Sequence, residues 1–274
     1  MARTILITGS SGGIGYCTAK TLKKAGWRVF ATCRKQKDCN RLIEEGFESF
    51  RLDYSDERTI ISTVKKIRGL NYGKIDALFN NGAYALPGAV EDLSRDALRA
   101  IFEVNFFGHV DLINRLLPLL RASDDPRVIN CSSVLGFLAL PYRGAYNATK
   151  FAIEGITDTL RREETGKEIK FILIEPGPIK TNIRRNAMHY FERWIDWKHS
   201  QISEVYREKI IKRLLNEKNE TDFFELDCTY VSKKVLHALT SRRPKNRYYI
   251  TYPTYAADIL RRFFPSAIQD FLLR

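Results

Sequence analysis

Tyr146 and Lys150 stand four residues apart in "GAYNATKFAIEG", residues 144–155, where an apolar run begins. On a helix that spacing stacks both side chains on one face, a turn apart. A phenol ordinarily titrates near pH ~10, so one that must release a proton near neutrality gains from a fixed cation beside it. The same spacing also suits an amphipathic helix with a snorkelling Tyr and a solvated Lys. The rest of the chain has to decide between these readings.

A second group of residues lies near the N-terminus. "TGSSGGIG", residues 8–15, follows the strand-like run "RTILIT" and opens a helical pattern. Gly9, Gly13 and Gly15 at a strand-to-helix junction let backbone N–H groups and a helix N-terminus approach a pyrophosphate. Thr8, Ser10, Ser11 and Ile14 belong to the same loop, and Ser10 or Ser11 can offer a hydroxyl to a phosphate. After the next strand-like run, "WRVFATC", an NAD-binding chain usually presents Asp or Glu to the ribose 2′-hydroxyl. Here Cys33 is followed by Arg34 and Lys35, with no carboxylate. A guanidinium pairs with a 2′-phosphate in bidentate fashion, so the expected cofactor is NADP(H) rather than NAD(H).

Taken together, these stretches resemble the short-chain dehydrogenase/reductase family. "TGSSGGIG" is similar to that family's TGxxxGIG loop, and Leu52-Asp53 to its adenine-contacting segment, which implies a role for Asp53. "NNGA" at 80–83, with Asn80 and Gly82, stands where the family has NNAG, its Gly and Ala in swapped order. Asn105 in "FEVNFFG" resembles the family's helix-borne Asn, and Ser133 precedes Tyr146 by the thirteen residues that separate the family's catalytic Ser and Tyr. "PGPIKT", residues 176–181, resembles the stretch that holds the nicotinamide carboxamide, implying Pro176, Gly177, Ile179 and Thr181 as cofactor contacts. The likeness is good to about residue 181 and loose beyond it.

The resemblance gives these residues a chemistry. A carbonyl accepting hydride develops negative charge on oxygen and needs a proton. Tyr146 supplies it as general acid, or removes it as general base in alcohol oxidation. Ser133 hydrogen-bonds the substrate oxygen. The Lys150 charge favours the phenolate; by resemblance it also binds the nicotinamide ribose, and Asn105 positions a relay water. His109 and His189 read as packed or solvated side chains, and no cluster has metal-ligand spacing.

Strand-like and helical runs alternate from "RTILIT" through "EIKFILIEPG", the pattern of βαβ units and a parallel sheet covered on both faces. The expected fold is therefore α/β: a doubly wound, Rossmann-type sheet of about seven strands in a single domain spanning 1–274. A substrate-side helical insertion is expected at about 182–225, and a C-terminal extension at about 253–274. A long helix is read over 94–121, a strand in "PRVINCSS" and a last strand in "RYYITYP". Leu138, Leu140, Pro141, Tyr142, Met188, Tyr190, Phe191, Trp194 and Trp197 form an apolar set on the substrate side. Within this set, Leu138, Leu140, Tyr142, Met188 and Phe191 are the candidate contacts for a hydrophobic aldehyde, retinoid or steroid-like ketone. The stretch from "PGAVEDLS" to "NFFG" looks similar to the steroid and retinol dehydrogenase-like branch of NADP-dependent carbonyl reductases.

Composition narrows the alternatives. The net charge is +13, from 45 Lys and Arg against 32 Asp and Glu, but the basic residues are dispersed and no nucleic-acid motif appears. No run approaches the ~18 apolar residues of a membrane span, and no signal peptide is read. The five cysteines lack CxxC or Cys/His spacing and are read as reduced thiols of a cytoplasmic protein. The tail "AADILRRFFPSAIQDFLLR" is expected to pack on a subunit or the pocket rather than bind a membrane, since Pro265 interrupts any single helix. A homo-oligomer is expected from the resemblance. The competing readings are an NAD-dependent alcohol or hydroxysteroid dehydrogenase and a non-catalytic dinucleotide sensor or scaffold.

Overall fold

The computed structural model describes residues 2–164, 169–215 and 224–273. Strand β1 (Thr4–Ile7) leads to α1 (Gly13–Lys24), β2 (Arg28–Cys33), α2 (Gln36–Glu44), β3 (Glu48–Arg51), α3 (Glu57–Leu70) and β4 (Ala77–Asn80). Helix α4 (Arg95–Phe102) passes through a π-helical turn, Glu103–Phe107, into α5 (Gly108–Leu120). Next come β5 (Arg127–Cys131), α6 (Gly144–Glu163) and β6 (Lys170–Glu175). The insertion holds α7 (Ile183–Trp194), α8 (Ser203–Val205), a second π turn at Tyr206–Ile211 and α9 (Lys212–Leu215). Helix α10 (Cys228–Thr240), β7 (Arg247–Tyr249), α11 (Tyr252–Phe263) and α12 (Ser266–Leu273) follow.

The strands form one all-parallel sheet in the order β3-β2-β1-β4-β5-β6-β7. Alternation along a strand sends neighbours to opposite faces. Ile5 and Ile7 enter the core shared with α1, α2 and α10, while Leu6 enters the one shared with α3 and α5. Both faces are dry, so β1, β4 and β5 are buried at every position, which explains why they read as largely apolar runs, with Asn80, Arg127 and Asn130 as buried exceptions. Side-chain caps start three of the helices: Asp56 accepts from Arg58 N, Ser94 from Ala97 N, and Asp227 from Thr229 N.

The expected α/β fold of seven strands is present. The helix read over 94–121 is instead two helices joined by the π turn, and the "RYYITYP" strand stops at Tyr249, with Pro253 in the first turn of α11. The tail forms two helices around Pro265 as expected. Residues 216–223 of the expected insertion lie outside the described residues. No helix among the described residues is long and apolar enough to cross a membrane.

The cysteine reading needs correction. Cys17 of α1 and Cys228 of α10 are joined in a disulfide, with Cα atoms 6.1 Å apart across 211 residues of sequence. Both helices pack on the same face of the sheet, so the pair is created by tertiary packing, which local spacing rules do not read. Cys33, Cys39 and Cys131 are free and buried.

Gly155 lies inside α6, and a Cβ there would meet nothing within 4 Å. Gly155→Ala should therefore stabilise the protein by about 0.5–1 kcal/mol through helix propensity. Leu78→Ala, emptying a fully buried site in β4, should cost about 2–5 kcal/mol. Urea titration of both variants checks the pair.

Candidate active site

The chemistry-bearing residues collect at the C-terminal ends of the central strands, where an open α/β sheet offers a crevice. After β1 the chain turns through Gly9 at φ +66° and Gly13 at φ +53°, values that favour glycine. A Cβ on Gly9 would lie 2.7 Å from Gly82 Cα, and one on Gly15 would lie 2.4 Å from Gly9 O. The loop after β1 and the loop after β4 thus touch backbone to backbone. Helix α1 has no side-chain cap and no acidic residue in its first turn. Its first N–H groups are left for an anion, and a Cβ on Gly12 would meet nothing within 4 Å. The chain here suits a dinucleotide pyrophosphate.

Several residues read as cofactor contacts have their side chains committed elsewhere. Thr8 is fully buried, and its hydroxyl accepts from Asn81 N at 2.8 Å and Gly82 N at 3.1 Å. Tyr54 Oη lies 2.7 Å from that hydroxyl and 2.5 Å from Asn80 Oδ1, while Asn80 Nδ2 donates to His109 O. Ser10 is buried and donates to Ile7 O. These side chains knot the two loops together, so any contact they make with a ligand is through backbone. Asp53 accepts from Ser55 N and Oγ. Ser11, Arg34 and Lys35 are exposed, and Ile14 is half-buried. Arg34 Nη1 donates to Tyr190 Oη, which ties the end of β2 to α7.

Tyr146 and Lys150, both buried, lie one turn apart on α6 as the spacing predicts, with the ammonium 5.5 Å from the phenol ring centroid. Lys150 Nζ donates to Cys131 O at 2.7 Å. Ser133, two residues beyond β5's last residue Cys131, donates weakly to Pro176 O at 3.4 Å and accepts from Leu135 N at 3.1 Å. Burial holds the Tyr146 phenol well above its ordinary pKa, and a hydrogen bond with Ser133 works against that. Burial also pulls the Lys150 ammonium down, opposed by Cys131 and Glu154. The protein alone therefore keeps the phenol protonated.

Asn105 sits in the π turn, fully buried. Its Oδ1 accepts from Tyr84 N at 3.0 Å, and its Nδ2 donates to Tyr84 O at 2.8 Å and Thr149 Oγ1 at 3.3 Å. It clamps the loop after β4 to α6 beside the Tyr–Lys pair. Such π turns often mark functional sites. Ile179 is buried and bridges to Leu226, Gly177 abuts the Thr251 hydroxyl, and Thr181 packs its methyl against Gly13. The stretch 176–181 thereby reaches the cofactor loop.

The substrate-side set divides. Met188, Tyr190, Trp194, Trp197 and Tyr142 pack with Tyr146 and Tyr84 in one apolar cluster, where Phe191 is only 1% exposed and so belongs to the interior. Leu138 packs instead with Phe137 and Ala257 of α11, while Leu140 and Pro141 are exposed. Sequence reasoning missed Tyr84, whose ring stacks on Tyr190 at 3.7 Å. It also missed Tyr206, which bridges Asp92 Oδ2 and Ala89 N. His109, set aside in the sequence, is fully buried with Nε2 2.7 Å from Gly82 O; burial and then the Lys150 charge pull it down to about 3, so it is neutral. A His–carbonyl contact between distant segments leaves no local signature.

A model of the short chain dehydrogenase family matches residues 3–190, more than half the chain. The chain belongs to this family. Uncharacterized oxidoreductase YbbO of Escherichia coli is 33% identical over 274 residues, covering 100% of this chain and 95% of the relative. Human retinol dehydrogenase 16 is 28% identical over 281 residues, covering 98% and 87%. A short-chain dehydrogenase structure from Streptomyces avermitilis superposes with a TM-score of 0.80 at 24% identity, covering 99% of this chain and 95% of the other, and shares the fold. The protein is thus a short-chain dehydrogenase-family oxidoreductase.

Because a Cβ on Gly15 would overlap Gly9 O, Gly15→Ala should displace the loop and weaken dinucleotide binding at least ~10-fold, about 1.4 kcal/mol, as read by quenching of protein fluorescence. Asn105→Ala should leave the buried Tyr84 amide unpaired and cost about 1–3 kcal/mol in urea unfolding.

Proposed function

We propose that this oxidoreductase reduces hydrophobic carbonyl compounds with NADPH, and catalyses the reverse oxidation with NADP. The observation that carries the reading is the assembly of Ser133, Tyr146 and Lys150 at the ends of β5 and α6, beside the glycine loop. The loop backbone from Gly9 to Gly15 suits the pyrophosphate, Arg34 and Lys35 suit a 2′-phosphate, and the 176–181 stretch suits the carboxamide end. When bound, NADP(H) supplies or accepts the hydride. Tyr146 passes its proton to the substrate oxygen or takes it back. Ser133 donates a hydrogen bond to that oxygen and offsets its developing charge. The buried Lys150 ammonium favours the phenolate form of Tyr146 by proximity, and Asn105 fixes the wall of the site through Tyr84.

Arg34 supports the preference for NADP(H): it is exposed at the end of β2 and no carboxylate stands in its place. The aromatic side chains of Tyr84, Tyr190, Trp194 and Trp197, packed in one cluster with Tyr146, support a hydrophobic substrate. The name of the human relative, a retinol dehydrogenase, points the same way.

Consumption of NADPH at 340 nm (the nicotinamide absorbance) should be faster than that of NADH with long-chain aldehydes, retinal or keto-steroids, and should fall to background in Tyr146→Phe. Arg34→Ala should raise the KM for NADPH ~10-fold or more, the order of one charge-assisted hydrogen bond, and leave that for NADH nearly unchanged. Equal use of both cofactors, or faster turnover of small polar aldehydes, would overturn the reading.

A further inference from the structure

Directly behind the Tyr146–Lys150 pair lies a cluster of charge for which the hydride-transfer chemistry has no use. Glu154 is one turn beyond Lys150 on α6 and 7% exposed; Glu175, the last residue of β6, is 0% exposed. Both lean on one nitrogen of Arg247 from β7, Nη1, which donates to Glu154 Oε2 and, at 2.6 Å, to Glu175 Oε1. The other nitrogen, Nη2, is taken by Asp158 of α6 at 2.8 Å to each oxygen, and Asp158 also pairs with Arg161. Glu154 Oε1, Glu175 Oε2 and Ser132 Oγ are buried and find no hydrogen-bond partner of normal geometry among the described residues. Gly136 closes the remaining side, where a Cβ would lie 2.4 Å from Ser132 Oγ and 3.0 Å from Glu154 Oε1. Tyr249 on β7 also lies within electrostatic reach of Glu175.

Each member adjoins a working segment. Ser132 precedes Ser133, Glu175 precedes Pro176, and Glu154 shares a helix face with Lys150 and Tyr146. Two carboxyl groups that share one guanidinium nitrogen in a dry site do not both ionise cheaply. We propose that Glu154 and Glu175 hold one proton between them, and that the single negative charge left on the pair keeps Lys150 an ammonium ion. The proposal rests on Tyr146 and Lys150 being the working pair. Glu154 is then a positioning residue that acts through Lys150.

The electrostatics agree. Burial first, and then the neighbouring Glu154, hold the Glu175 carboxyl well above the ordinary range, so the proton resides mainly on Glu175 and the charge on Glu154. Glu154 is itself raised by burial, with Arg247 opposing. Among the described residues no carboxylate is in hydrogen-bond contact with Lys150, whose Nζ is bound to Cys131 O; after the Cys131 thiol, Glu154 is the acidic side chain whose field supports it.

The test follows the Lys150 side-chain nitrogen by NMR in 15N-lysine-labelled full-length protein, with the resonance assigned from a Lys150→Met sample. Glu154→Gln removes the charge and should lower the Lys150 titration midpoint by about one pH unit. Glu175→Gln keeps it, since the new amide donates to Glu154 as the protonated carboxyl does, and should leave the midpoint within about 0.3 of the wild type. An unchanged midpoint in Glu154→Gln, or equal displacement in both variants, overturns the proposal.

A second readout holds even if Glu154→Gln fails to fold. The raised carboxyl makes the native state bind more protons than the unfolded one, so stability is lost as pH rises from 4.5 to about 9. Urea unfolding should show that loss in the wild type and a flatter profile in Glu175→Gln. A slope that survives Glu175→Gln shows that the pair holds no proton. Neither readout needs turnover, so failure of the oxidoreductase assignment, seen as wild-type protein binding neither NADPH nor NADH, is distinguishable from failure of this one.

Discussion

Lys150 places a positive charge in the interior of the protein, and much of the surrounding architecture answers to that. An ammonium group taken out of water costs several kcal/mol unless it is given partners. Among the described residues its direct hydrogen bond is to Cys131 O, at the very end of β5. The carbonyl is free for this because the strand stops there: Ser132 N turns to Ile174 O of β6, and Val134 N to Pro176 O. The position of the Lys150 cation therefore depends on where a strand ends, and the strand ends where the sheet gives way to the crevice.

The same economy governs the opposite wall. Glycine at positions 9, 15 and 82 brings three backbone segments into contact, and the Thr8 hydroxyl joins them by accepting two amides of the loop after β4. Asn105 fixes the next residues of that loop from the π turn. A helix that kept regular geometry through 103–107 would carry this amide to a different angle. The departure from α geometry is thus what lets one side chain serve both hydrogen-bonding groups of Tyr84.

How much of this was legible in the sequence depended on the range of the interaction. Tyr146 and Lys150 could be placed because their relation is one helical turn, and the glycine loop because a strand, a turn and a helix adjoin within a dozen residues. The central strands were readable because burial on both faces made them largely apolar. Ser10 or Ser11 was read as offering a hydroxyl to a phosphate, yet Ser10 donates to Ile7 O; the Thr8 hydroxyl, in the same loop, also turns inward, which depends on β4 being the neighbour of β1. Cys17 and Cys228 meet across 211 residues, and Arg247 meets its three carboxylates across 72 to 93; no spacing announces them. The substrate side was read as one apolar set, but packing assigned Leu138 to α11 and Phe191 to the interior, because hydrophobicity alone does not say which surface a residue covers.

The covalent link between α1 and α10 closes a ring that contains Ser133, Tyr146, Lys150 and the five strands β2 to β6, with β1 and the glycine loop just before it. Strand β7 lies outside that ring. It carries Arg247, the cation that Glu154, Glu175 and Asp158 share, and it is held to β6 by backbone pairing. Every motif that marks the family is encoded upstream of this strand, so a chain shortened before residue 247 would still look complete by its signatures. It would nevertheless leave Glu154 and Glu175 crowded behind Lys150 without the guanidinium they share, while Asp158 kept Arg161, and the deficit would be electrostatic before it was one of shape.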